Sequence, residues 1–562
     1  MNIKSYVRKN KKELIFISIA ILVSLFACIP YINRLSITGH DLSYHLNRIL
    51  GISEALKSGS YINIINYSDY IVSGMGYANA IFYPEIFLYV PAILNALGIG
   101  LISSYKLFIL CITFLTTISM YICTKKIFKS IGAAGISSLL YVFSVYRLTD
   151  VFVRCALGEI LAFLFIPIVI LGLYEIIYGE KEKWWILALG ITGVANSHMI
   201  SFVLVIGTIF FFLVINILKI YREKGRLKYI IICGFVSIAL CSTTFLPMIE
   251  QLASAKYNLT EEATGIKLEI KAVVGTKIFE NAVHKGQAEN DYKELSNKMT
   301  MGIGTILLII PCCIIFCNNK SKKRDEIRTF AFQLIMLGFI LVFVSSEFFP
   351  WKYFQIFKLI QFPWRLNLIS TALLCMASAY VLSNVTKYKQ EAYIFSGIMI
   401  IFFAGIQLEN IDCIVNPDNY TAVNMLTGAP IGNGEYLPYN FKNEKKELIS
   451  NDGVNILYPH VKDIKCIKFD YNEDNKSNNG EVIVPYTYYK GYNAYIYTKE
   501  GKKKLKIVGS DEGTLKLINE NQLFGSVVVK YELTKIQILS YTISGIAFIF
   551  VISYIVRKKH NN

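Results

Sequence analysis

Read as apolar and polar positions, the chain is a series of long apolar runs separated by short polar breaks. A helix needs roughly 20 mostly apolar residues to cross a bilayer. Runs of that kind are Leu14–Ile32, Ser103–Cys123, Ile131–Tyr146, Gly158–Tyr178, Trp184–Ala195, Met199–Leu218, Tyr229–Met248, Met301–Phe316, Phe330–Ser345, Leu366–Leu382, Tyr393–Leu408 and Ile536–Val556. They predict an α-helical polytopic membrane protein of about twelve spans. The basic, then apolar, start from Met1 to Cys28 lacks a small-x-small cleavage pattern after it, so it reads as an uncleaved first span.

The polar breaks give an orientation. Ala80–Leu97 is apolar enough to cross but holds Pro84, Glu85 and Pro91. Read as an interfacial or re-entrant helix, it leaves Lys4–Lys12, Lys125–Lys129, Lys181–Lys183, Lys219–Lys228, Lys320–Arg328, Lys387–Lys389 and Arg557–Lys559 all on one side. Lys/Arg bias marks that side as the cytoplasm, with both termini there. Arg34–Ala80, Arg147–Leu157, Asn196–His198, Glu250–Thr300, Glu347–Arg365 and Glu409–Lys535 then face outward. The last is long enough for a small domain. It opens on turn-rich sequence (Asn416-Pro417-Asp418, Gly428-Ala429-Pro430) and continues with strand-like runs at Glu481–Val484, Ala494–Thr498, Lys504–Val508 and Ser526–Tyr531. The expected organisation is a multi-span membrane domain over 1–408, an extracytoplasmic β-sandwich-like domain over 409–534, and a final helix with a basic tail over 535–562.

Composition agrees. The chain is 54% hydrophobic, with a mean hydropathy of +0.45. The net charge of +17 sits in short runs between apolar segments, which excludes nucleic acid as a partner and makes the lipid bilayer the first one. Most of the 12 cysteines lie inside apolar runs, and none has zinc spacing. Cys413 and Cys466 lie in the polar C-terminal part, where a pairing stays open.

Candidate chemistry falls on the outward segments. In Gly39-His40-Asp41-Leu42-Ser43-Tyr44-His45-Leu46-Asn47-Arg48, a helix starting near Asp41 puts Asp41, Tyr44, His45 and Arg48 on one face. A carboxylate with a histidine one turn on suits a general base or a divalent ion, with His40, Asp41 and His45 as its candidate ligands. The plainer alternative makes Asp41 a helix cap. Glu85, inside an apolar stretch, is either paired in a site or an interfacial snorkelling carboxylate. Arg154 suits a phosphate and Glu159 a helix start, unless the two are simply an ion pair. His198 lines a site or packs by hydrogen bonds; Trp364 is a natural interface anchor, with Arg365 beside it as a lipid-phosphate ligand or a snorkelling cation. No Walker loop, HExxH or GxSxG occurs.

With a first span, an outer loop carrying an early acid, an interfacial Tyr83-Pro84 segment and many further spans, the layout resembles the GT-C glycosyltransferases. The bacterial membrane family labelled 6-pyruvoyl-tetrahydropterin synthase-related is similar through Gly39-His40-Asp41 with His45 and Arg48, Arg154 with Gly158-Glu159, Asn196-Ser197-His198, Gln361–Arg365 and Gly434-Glu435-Tyr436-Leu437-Pro438. The outer β-rich domain before a last helix is similar to YfhO-type proteins. The resemblance implies an inverting transfer of a sugar from a polyprenyl-phosphate donor to a cell-envelope glycan or lipid acceptor at the plasma membrane. Asp41 would be the base, Arg154 and Arg365 would grip the phosphate, and His45, Arg48, Glu85, Glu159 and His198 would line the pocket. No Asp-x-Asp or Glu-x-Asp pair stands in the first loop, which leaves metal dependence open. A transporter or flippase of lipid-linked glycans, or a non-catalytic envelope scaffold, are the competing readings. Transporters bind near the bilayer midplane, whereas the charged residues here fall at one face.

Overall fold

The computed structural model describes all residues except 1–10, 33–36, 69, 224, 263–266, 285–298, 314–321, 386–388, 416–425, 428–429, 433, 443–448, 451–460, 464–465, 474–479 and 561–562. The expected turns at Asn416-Pro417-Asp418 and Gly428-Ala429 lie outside the described residues. The chain divides into two compact units, each built from three stretches: Met1–Leu42, Ile102–Ile238 and Ile266–Met425 in the first, and Ser43–Leu101, Ala239–Gly265 and Leu426–Asn562 in the second.

The first unit is helical. Its centre is the helix Pro363–Asn384, almost wholly buried and rich in small residues such as Ser370, Thr371, Ala372, Ala377 and Ser378. Small side chains let helices approach closely, which replaces the hydrophobic drive that lipid does not supply. The same device joins Leu157–Ile177 to Trp185–Ala195. A Cβ on Gly172 would sit 2.5 Å from the Leu187 backbone, and one on Gly190 would sit 2.9 Å from that of Val169. The outer helix Gln390–Ile411 instead turns Ile394, Phe395, Ile398 and Phe402 outward. Such a surface is stable only with hydrocarbon as its solvent.

Six described helices are long and apolar enough to cross a membrane, and two consecutive helix pairs raise this to eight. That is fewer than the twelve runs in the sequence, because apolarity is not length. Met199–Ile215 has 17 residues, Trp185–Ala195 has 11 and Thr305–Cys312 has eight. Ala80–Leu97 is not one helix. Pro84 and Glu85 divide it into Asn79–Phe82, Ile86–Leu88 and Tyr89–Ala96.

The second unit holds the strands. These are β1 (Ile449–Ser450), β2 (Val461–Asp463), β3 (Cys466–Tyr471), β4 (Glu481–Thr487), β5 (Tyr492–Thr498), β6 (Gly501–Gly509), β7 (Thr514–Ile518) and β8 (Gly525–Tyr531). They form one antiparallel sheet in the order β1-β4-β7-β6-β5-β8-β3-β2. The expected sandwich is thus a single sheet that folds over at β6. Gly501–Leu505 pairs with β5, and Lys506–Gly509 pairs with β7. The two halves share one core, with Ile467, Phe469, Ile496, Val527 and Val529 meeting Val482, Val484, Leu515 and Leu517. Residues far away in sequence complete it: Ile65, Ile81, Phe82 and Tyr257. The Tyr67 and Tyr492 hydroxyls lie 2.7 Å apart, and Gln251 Nε2 donates to the Lys490 carbonyl at 2.6 Å. Cys466 is a free thiol, and the Cys413 side chain lies outside the described residues.

Candidate functional site

In the first unit the site is built around a widened helical turn. The helix Val145–Thr149 runs into the turn Asp150–Arg154, which ends at Cys155 in the left-handed conformation (φ 53°). The helix Leu157–Ile177 then begins, with Glu159 in its first turn. The segment before Asp41 lies against this turn. His40 N donates to the Val153 carbonyl at 3.1 Å, and Asp41 N donates to that of Arg154 at 2.8 Å. Gly39 permits the approach, since a Cβ there would lie 2.2 Å from Cys155 Sγ. Asp41 is thereby held in the field of Arg154. Its carboxylate is half-buried and accepts no hydrogen bond from the described residues.

Glu159 is the hub beside it, buried to 1% exposure. Its Oε1 accepts from Arg154 Nη2 and Arg365 Nε, both at 3.0 Å, and its Oε2 accepts from the Tyr146 hydroxyl at 2.7 Å. Arg154 also pairs with Asp150. The expected ion pair of Arg154 with Glu159 is therefore present, inside a network of two guanidinium groups and two carboxylates. Charges taken from water are tolerated only when paired in this way. Arg365 Nη1 donates to Gln361 Oε1 at 2.7 Å and to the Ile360 carbonyl at 3.1 Å. Its Nη2 donates to none of the described residues. His198 caps Met199–Ile215, with Nδ1 2.8 Å from Ser201 Oγ, and lies within electrostatic reach of Glu159. Trp364, expected as an interface anchor, is buried and stacked on Phe362, with ring centroids 4.4 Å apart.

His45, Arg48 and Glu85 form a separate cluster in the second unit. The helix Leu42–Lys57 starts after Asp41 and carries Tyr44, His45 and Arg48. Arg48 Nε pairs with Glu85 Oε1 at 3.1 Å, and its Nη2 donates to the Pro84 carbonyl at 2.6 Å. His45 Nδ1 lies 3.3 Å from Arg48 Nη1, and Arg48 lies over the Tyr83 ring at 4.2 Å. Burial pushes the Glu85 carboxyl up to about 6, against the pull of Arg48. Glu85 is a paired, buried carboxylate rather than a snorkelling one.

Metal binding by His40, Asp41 and His45 finds no support in this geometry. A cation at 3.3 Å from the His45 ring opposes a second cation. Among the described residues no three His, Cys, Asp or Glu side chains gather in a way that could hold a metal ion.

Two residues that the sequence reading passed over belong to the first-unit site. Asp150 stands four residues before Arg154, a helical acid–base spacing visible in the sequence. Lys271 comes from a distant loop and has no local signal. Its ammonium lies 4.5 Å from the centre of the Phe362 ring, and the Arg365 guanidinium lies 4.9 Å from it. Burial, with the charge of Arg365 added, lowers the Lys271 ammonium. The two cations thus share one aromatic ring.

A family profile described as "Bacterial membrane protein YfhO" matches residues 82–427, more than half of the chain. The chain belongs to the YfhO family. It is thus a multi-pass membrane protein, as its apolar helices require. No curated protein matches the sequence. Among solved structures, this YfhO-family chain is similar to the arabinofuranosyltransferase AftD from Mycobacteria, at 14% identity and a TM-score of 0.43 over 72% of this chain and 27% of that one. It is also similar to the Archaeoglobus fulgidus oligosaccharyltransferase in the apo form, at 12% identity and a TM-score of 0.42 over 80% of this chain and 63% of that one. The chain therefore spans about a quarter of the length of the first and under two thirds of the second.

Proposed function

We propose that this YfhO-family protein is an inverting membrane glycosyltransferase. It moves a sugar from a polyprenyl-phosphate donor to a cell-envelope glycan or lipid acceptor at the outer face of the plasma membrane, with both termini in the cytoplasm. The observation that carries this reading is the Asp41 carboxylate, half-buried, without a hydrogen bond from the described residues, and fixed by its own backbone beside Arg154. A base needs a lone pair free for the proton, and no described residue donates a hydrogen bond to this carboxylate.

In the reaction the acceptor hydroxyl oxygen attacks the anomeric carbon while Asp41 takes its proton. The bond from that carbon to the phosphate oxygen breaks, and polyprenyl phosphate leaves with the electron pair. Arg365 Nη2 and Lys271 supply positive charge to the leaving phosphate, as preorganised donors do where charge develops. Arg154 acts through Glu159, which fixes Arg365. The twelve-span count and the domain limits read from the sequence belong to this same proposal.

The test is sugar transfer from a panel of polyprenyl-phosphate sugars by the purified full chain in nanodiscs, beside Asp41→Asn. Loss of about 10²- to 10⁴-fold in transfer, with an unchanged melting temperature, is the expected result. Equal transfer by both proteins removes Asp41 from the chemistry. Lipid binding without transfer from any donor gives the protein to the transporter or scaffold reading.

A further inference from the structure

One cavity of the first unit plays no part in the site above. It is an apolar groove of about 490 Å³, within the size range of ligand pockets. Its walls include Ile15 and Phe16 of Lys11–Ala27, Ile131 and Ile136 of Ile131–Val142, and Ile394 and Ile398 of Lys389–Val415, with the C-terminal half of Leu101–Phe128 as its floor. Glycines make the room. Gly132 and Gly135 face it from one wall and Gly397 from the other. A Cβ on Gly135 would meet no atom within 4 Å.

Charge identifies the occupant. Three of the lining helices begin immediately after, or within, a basic run: Arg8-Lys9 with Lys11-Lys12, then Lys125-Lys126 with Lys129, then Lys387 with Lys389. The fourth ends in Lys125 and Lys126. The groove thus opens at the end of the spans where cations concentrate. Lys125 Nζ lies 5.5 Å from the Tyr121 ring, which lines the groove and stacks on Phe16 at 3.4 Å. The Tyr393 and Ser130 hydroxyls, 3.4 Å apart, mark the same end with hydrogen-bonding groups. A polar and cationic mouth over an apolar groove, in helices surrounded by hydrocarbon, suits an amphiphile with an anionic headgroup.

We propose that this groove binds an acidic phospholipid, with one acyl chain between the helices and the headgroup phosphate at Lys125, Lys126 and Lys129. Lysines near a membrane surface each favour anionic lipid by a modest factor. The groove adds a defined seat for the chain. The site lies on the basic side of the protein and does not depend on the glycosyltransferase reading.

Native mass spectrometry of the full chain in detergent tests it, with equal amounts of phosphatidylglycerol and phosphatidylcholine of identical chains. The wild-type protein retains phosphatidylglycerol in excess, at one lipid per chain. Gly135→Phe, which fills open space, lowers retention of both lipids by threefold or more. The Lys125→Gln/Lys126→Gln/Lys129→Gln variant lowers the preference for phosphatidylglycerol by roughly an order of magnitude and leaves phosphatidylcholine retention as it was. Ile398→Trp, at an exposed groove wall, repeats the filling test should Gly135→Phe fail to fold. Equal retention of the two lipids by the wild-type protein overturns the proposal, as does undiminished retention by both filled variants. A mass doubled in the wild-type protein and restored to one chain by Gly135→Phe overturns it too, and gives the groove to a second copy.

Discussion

Glu159 accepts from two guanidinium groups and a phenol while almost wholly buried, so its charge and theirs depend on one another. Removing one member of a buried pair leaves the rest uncompensated, at a cost of about 3–5 kcal/mol. Glu159→Gln is expected to lower stability by that order in chemical or thermal unfolding of the detergent-solubilised protein. A change below about 1 kcal/mol would show that the network is hydrated and does not carry the fold. Glu85 gives a pH signature of its own. Its carboxyl is pushed up to about 6 by burial. The folded protein therefore holds this proton more tightly than the unfolded chain, and the group's contribution is fully present below about 4.5 and lost as pH rises through about 6. Between pH 7 and pH 4.5 the melting temperature of the wild-type protein should rise relative to that of Glu85→Gln. Parallel profiles would give Glu85 an ordinary carboxylate. Most of these site residues were legible in the sequence as residue types, since charges in apolar surroundings are conspicuous. Their partners were not. Glu159 meets Arg365 across 206 positions, and Lys271 meets Phe362 across 91 (362 − 271), distances that no local spacing encodes.

At the scale of elements, the approach of the Gly39–Asp41 segment to the turn Asp150–Arg154 sets where the proposed base stands. That approach has a steric condition, because any side chain at position 39 meets Cys155 Sγ. Gly39→Ala should destabilise by about 1–3 kcal/mol, as overpacking does, and should lower transfer by displacing Asp41. Cys155→Gly removes the obstructing sulfur. The double variant is then expected to recover part of both losses, which a melting curve and a transfer assay measure together. A double variant no better than Gly39→Ala would mean that the conformational cost of position 39, not the contact, dominates. The same elements show where periodicity misleads. The helices were readable because a bilayer demands a fixed apolar length. Ala80–Leu97, read as one interfacial or re-entrant helix, is instead three short pieces, and the break falls at Pro84, which cannot donate a helical hydrogen bond. The continuous sheet was not readable. Alternation in β4, β5, β7 and β8 tells which face is buried, but the change of partner within β6 depends on register, and one strand's sequence looks the same in either half.

At the scale of the whole molecule, the strands near the C-terminus share a core with segments from much earlier in the chain. The polar C-terminal part looks like a domain of its own, yet its core is shared with segments from 43–101 and 239–265. Phe82 stacks on Tyr436 at 5.0 Å, and Tyr257 stacks on Tyr489 at 6.1 Å. Tyr77 Oη accepts from Tyr436 N, Asn258 N donates to the Leu437 carbonyl, and Leu259 N donates to that of Glu435. Cutting the strands away from these segments exposes Tyr436, Tyr489 and Tyr492 at once and leaves their backbone partners without mates. Small domains have little stability to lose. A soluble fragment spanning 426–534 is therefore expected to lack a cooperative thermal transition by near-ultraviolet circular dichroism. Within the intact protein in nanodiscs, the same strands should protect their amides from exchange as one unit with residues 64–82. A fragment that melts cooperatively by itself would show that the sheet carries its own core, and that the two other segments only dock onto it. The outcome matters for the proposed chemistry, because Arg48 and Glu85 stand in those same segments. If strands and segments fold together, substitutions in that shared core should lower the exchange protection of the helix that carries Arg48 without touching either charged residue.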